Sequence, residues 1–159
     1  MKLPKAIAER VQLVLDALPL QQAMAQLVVK HGASRELKTL VESTIASPEL
    51  SSNEALCAGL WLYVDELDRS HVISQGIEDA TGSYWHGIMH RREGDFSNSH
   101  YWFHRVGNHP AMKKIDGYDA HRFIDEVEGQ HVNSPAALID LQRREWVALF
   151  EWCAEHSGK

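Results

Sequence analysis

The chain has 159 residues, 44% of them hydrophobic and 24% charged, with 16 Lys and Arg against 22 Asp and Glu for a formal net charge of −6. That length suits one domain with a core of its own, and the apolar share excludes a disordered chain. The acidic balance argues against non-specific binding to nucleic acid or to anionic membranes, and no apolar run approaches the ~18 residues that a membrane span needs.

Ile7, Val11, Val14 and Leu18 recur at helical spacing, predicting a helix over 4–18 that Pro19 ends. A second helix is expected through Met24, Leu27 and Val28, stopped by Gly32. Ser34 can cap a third, with Leu37, Leu40, Val41 and Ile45 as its stripe. Residues 1–46 carry no polar group with an evident chemical task, so they read as helical scaffold or as the contact of a homodimer. Ser51 and Glu54 make a capping box for the longest predicted helix, 53–76. Its first half is apolar nearly all round, which predicts a central helix burying Leu56, Leu60, Val64 and Leu67.

Thr81 is expected to cap a helix over 82–92, broken by Gly94, and Ser97 a short one through His104 and Arg105 to Gly107. Residues 108–117 read as a loop. Asp119 opens a helix carrying Phe123, Ile124 and Val127, and Ser134 with Pro135 opens the last, whose stripe is Ile139, Trp146, Leu149, Phe150 and Cys153. No segment alternates with period two. The predicted fold is all-α: a compact single-domain bundle of six to eight helices over 1–159, around the central helix near 53–76, with 53–110 as the site-bearing block. Cys57 and Cys153 sit in apolar helical patterns and are expected as buried free thiols. Glu9, Arg10 and Asp16 interrupt the one candidate signal sequence, so a soluble cytoplasmic protein is expected.

Histidine is the unusual count: ten residues, with His71, His86, His90, His100, His104 and His109 crowded into 71–109. His86 and His90 stand four apart on a predicted helix, with Glu93 three further on, so all three share a face. This spacing can chelate Zn²⁺, Fe²⁺ or Mn²⁺, the carboxylate serving as third ligand or as general base. His100 and His104 repeat the spacing, with His104 as a further candidate ligand. His71 can add acid–base work or a ligand, oriented by Asp68. Two other readings stand beside the metal: a metal-free polar pocket, and histidines packed against Trp85, Tyr101 and Trp102.

Arg91, Arg92 and Arg105 concentrate positive charge against the sign of the whole chain. A guanidinium suits bidentate capture of a carboxylate or phosphate, which with Trp85 and Tyr101 as aromatic walls points to a small anionic substrate. Pairing with Glu93, Asp95, Asp65 or Asp68 is the plainer alternative. No dinucleotide-binding, P-loop, Cys-x-x-Cys, His-Glu-x-x-His or Gly-x-Ser-x-Gly motif is present, so nucleotide cofactors and the usual hydrolase machineries have no support.

The run over 60–110 contains Trp85-His86-Gly87-Ile88-Met89-His90-Arg91-Arg92-Glu93-Gly94-Asp95-Phe96 and Tyr101-Trp102-Phe103-His104-Arg105-Val106-Gly107-Asn108-His109-Pro110. It resembles a family of small uncharacterised proteins of bacteria and fungi. The resemblance covers this central block alone. It implies that the block is the characteristic part of the molecule, and it carries no reaction and no residue roles. From the residues themselves the first expectation is a small helical enzyme acting on a small anionic substrate, by metal-assisted hydrolysis, isomerisation or lyase chemistry. A non-catalytic ligand-binding protein and a structural or interaction protein are the alternatives.

Overall fold

The computed structural model describes residues 1–129 and 134–156. Its helices are α1 (Lys5–Ala17), α2 (Arg35–Ile45), α3 (Glu54–Tyr63), α4 (Leu67–Ser74), α5 (Ala80–Glu93), α6 (Phe96–Val106), α7 (Ala120–Gly129) and α8 (Pro135–Glu155), with one 3₁₀ turn at Pro110–Lys114. Among the described residues there is no strand. No helix is long and apolar enough to cross a membrane. The all-helical, single-domain bundle expected from the sequence is what forms.

Several chain punctuators act as read. The Ser34 hydroxyl accepts from the Leu37 amide, and Ser134 caps α8 with Pro135 in its first turn. Gly94 closes α5 at φ 86°, a left-handed position that lets the Asp95 amide reach back to the His90 carbonyl. Other caps lie elsewhere. Asn53, Asp79 and Asp95 cap α3, α5 and α6 through their side chains, where Ser51, Thr81 and Ser97 were expected. Thr81 is engaged instead with the ring of His109.

The predicted helix over 53–76 is two helices. The Glu66 amide bonds the Trp61 carbonyl and the Asp65 amide the Leu62 carbonyl, the paired pattern of a Schellman stop, with Asp65 in the left-handed position at φ 64°. Asp tolerates that conformation better than most residues, and here its carboxylate meets the Arg92 guanidinium at 2.5 Å. The break turns α4 back along α5, which brings His71 to the histidines of that helix. Leu56, Leu60 and Val64 are buried as expected, whereas Leu67 is only half-buried, as is Ile139 on α8.

The helix expected near 24–32 does not form. Met24 has φ 53°, and carbonyls of this segment accept from long side chains of other helices. Gln142 donates to Met24 and Gln26, Arg143 to Ala23, and Arg92 to Gln26, so tertiary donors replace the intrahelical ones. The centre of the bundle is α3 together with α5, every residue of which from Thr81 to Arg92 is buried. Trp85, Tyr63, Trp146 and Phe150 fill the space around them, and Trp85 packs so close to Gly59 that a Cβ there would lie 2.8 Å from its ring. Cys57 and Cys153 are buried thiols outside any disulfide among the described residues, and burial pushes them up to about 11 and about 12.

Candidate metal centre and histidine sites

His86 and His90 project from one face of α5 with rings stacked 4.7 Å apart, and His71 of α4 stands edge-on to both at 4.7 and 5.6 Å. One ring nitrogen from each lies within 4.8 Å of the others, close enough for the three to hold one metal ion. The sequence placed His86 and His90 together correctly. His71 joins them only because of the chain reversal at Asp65.

The two α5 histidines are prepared differently. His86 is 4% exposed, is covered on one face by the stacked Trp102 ring at 3.8 Å, and its Nδ1 has no hydrogen-bond partner. Burial, with His90 and His71 close by, lowers its pKa to about 4, so at neutral pH it is an uncharged imidazole, the form that ligates metals. His90 is held through Nδ1 by the Glu93 carboxylate at 2.6 Å, three residues on along the helix. That bond leaves Nε2 of His90 for a ligand and makes Glu93 the carboxylate that orients the ring. Glu93 is therefore not a member of the three-histidine set. It forms a second possible grouping with His90 and Asp95, in which the Asp95 carboxylate already accepts from Asn98 and Ser97 as the cap of α6.

The remaining expected site residues lie elsewhere. Asp68 is exposed, borders a surface depression with Trp61, Arg69 and Val72, and makes no hydrogen bond to His71 among the described residues. It sits three residues before His71 on α4, near enough to pair, but its side chain is turned to solvent. His104 faces away from the trio, against His121 of α7 with ring centroids 4.5 Å apart. Trp85 is fully buried core rather than site wall, while Tyr101 is 52% exposed and stands edge-on to Trp102.

Arg91 and Arg92 are corrected most plainly. Arg91 is fully buried, makes a two-pronged pair with Glu145 of α8 at 2.9 and 2.6 Å, and lies over the Phe123 ring. The Tyr118 hydroxyl donates to the same carboxylate. Arg92 is equally buried and is spent on Asp65 and on the carbonyls of Leu62 and Gln26. A buried guanidinium cannot shed its charge, so it takes the carboxylates that the fold places beside it. Neither arginine is free to anchor a substrate anion. Arg105 is exposed, lies over the Trp102 ring at 5.3 Å, and has no carboxylate partner among the described residues.

Four participants had weak signals in the sequence. Trp102 was legible only as one of three aromatics against which the histidines could pack, and it is the one stacked on His86. His121 and Asp125 stand at i, i+4 on α7 outside the histidine-rich window, and His100 binds both. Glu145 lies 54 residues from Arg91 in an amphipathic stretch, with nothing local to mark it. His109 is structural: its Nδ1 accepts from the Ala111 amide, so its Nε2–H donates to Thr81. Comparison with family models, with curated proteins and with solved structures finds no match for this chain, so its site is described from its own residues.

Proposed function

We propose that this protein is a small helical enzyme centred on one divalent transition metal, Zn²⁺, Fe²⁺ or Mn²⁺, held by His71, His86 and His90. The observation that carries the reading is three ring nitrogens within 4.8 Å of one another, one of them on a buried, neutral histidine whose Nδ1 has no partner in the protein. A buried polar atom left unsatisfied is costly, and a metal–nitrogen bond is one way to remove the cost. Three histidines leave coordination positions open, which suits catalysis better than a closed structural site. Bound there, the metal would supply Lewis-acid polarisation of a carbonyl or activation of water.

The protein's own groups have separable tasks. Glu93 fixes the tautomer and direction of His90. Trp102 shields His86 from water. Arg105, at the exposed face of Trp102, is the one arginine of the three still available to a carboxylate or phosphate, so the substrate is a small anion undergoing hydrolysis, isomerisation or lyase chemistry. Two buried thiols outside any disulfide among the described residues accord with a reducing, cytoplasmic setting.

The test is the metal content of untagged protein together with Co²⁺ titration followed by visible absorption. The expected result is one equivalent lost in His86→Ala and in His71→Ala. A metal stoichiometry that neither substitution lowers by one equivalent, or none bound by the native protein, would overturn it. A metal-free acid–base pocket is the second reading, favoured by the 2.6 Å His90–Glu93 contact, which is also the geometry of a base and its orienting carboxylate.

A further inference from the structure

Three further histidines assemble on the opposite side of α6. His100 and His104 of α6 face His121 and Asp125 of α7, each pair separated by one helical turn. Asp125 Oδ1 lies 2.9 Å from His100 Nε2, and His100 Nδ1 lies 2.7 Å from His121 Nδ1. The rings of His100 and His121 are parallel within 3°.

These contacts fix the protons for neutral rings. The carboxylate can only accept, so His100 carries its hydrogen on Nε2 and presents a bare Nδ1. His121 must then donate from its own Nδ1, which leaves Nε2 of His121 as an unprotonated lone pair. A metal-bound histidine gives its second ring N–H to an acceptor that fixes its tautomer, and His100, itself fixed by Asp125, is that acceptor for His121. His121 and His104 both line a separate cavity of about 340 Å³, bordered also by Asn108 and Asp119.

We propose that His104 and His121 form a second divalent-metal site, with His121 ligating through Nε2, His100 and Asp125 as positioning residues, and the remaining coordination positions taken by water or an incoming ligand. The chemical class is a borderline cation that favours imidazole, Zn²⁺ or Cu²⁺ rather than Mg²⁺ or Ca²⁺. The site shares no residue with His71, His86 and His90 and does not rest on the function proposed for them.

Zn²⁺ titration of untagged, chelator-stripped protein by calorimetry, with histidine ring nitrogens followed by NMR, tests it. In the His71→Ala/His86→Ala background one equivalent should remain, shifting the ring signals of His104 and His121. His104→Ala, an exposed position whose loss leaves the core intact, should abolish that equivalent, and Asp125→Asn should weaken it about tenfold without abolishing it. No zinc bound in the double-variant background overturns the second site. So does an equivalent that His104→Ala and His121→Ala leave untouched. If instead native protein binds one equivalent that His104→Ala removes and His86→Ala spares, the second site stands and the centre at His71 fails.

Discussion

Cutting Glu145 back to Ala tests the claim that Arg91 belongs to the scaffold and not to the substrate. Both side chains are fully buried, and the carboxylate takes two guanidinium hydrogen bonds and the Tyr118 hydroxyl. Its removal leaves a charged group in the core with a phenyl face at 4.0 Å and no counter-ion beside it. Removing one partner of such a pair costs about 3–5 kcal/mol, a large share of the roughly 5–15 kcal/mol that stabilises a typical domain. For a chain of this size the melting temperature should fall by roughly 10–15 °C, and the urea midpoint should drop with an unchanged slope. Replacing both partners, Arg91→Met with Glu145→Leu, removes charge and counter-charge together. It should recover much of the loss, so the two substitutions should be strongly non-additive in a double-mutant cycle. A cost below about 1 kcal/mol for Glu145→Ala, or additivity in the cycle, would refute the reasoning and return Arg91 to the list of ligand anchors.

Metal-free protein should lose stability as pH falls from about 6.5 toward 4. His86 in the folded state takes up its proton only near pH 4, whereas the unfolded chain takes it up near the ordinary value of 6.5, so acid favours unfolding across that window by on the order of 2–3 kcal/mol. Urea midpoints at pH 7 and 4.5 measure this, and an equal loss in His86→Gln would assign it to other groups. Gly59→Ala should destabilise by about 1–3 kcal/mol, because the new Cβ meets Trp85 at 2.8 Å and Phe150 at 2.9 Å from two sides; thermal melting at or above the native value would contradict that packing. Glu93→Gln should lower Co²⁺ affinity at the trio about 10–100-fold while keeping one equivalent, and loss of the equivalent altogether would make Glu93 a ligand. Arg105→Ala should leave stability within about 0.5 kcal/mol, and any stabilisation of the native protein by phosphate or a dicarboxylate should disappear with it.

Periodicity and caps determined the helical class, most helix positions, and the pairing of His86 with His90, because all of these depend on residues within one or two turns of each other. The stop at Gly94 was legible for the same reason: only glycine takes that left-handed position without strain. The tertiary structure decided what depends on distant neighbours. Asp65 ends α3 in a conformation that propensity does not favour, because its carboxylate is held by Arg92, and that stop carries His71 to the site. The 24–32 segment follows an apolar helical pattern yet stays irregular, since Gln142, Arg143 and Arg92 supply the donors for its carbonyls. The polar sequence of α5 gave no sign that the helix is buried all round, as the apolar stripe that usually marks burial is replaced by paired charges. Arg91 finds Glu145 across 54 residues of chain and Arg92 finds Asp65 across 27, and these two pairings turned two expected substrate anchors into parts of the core.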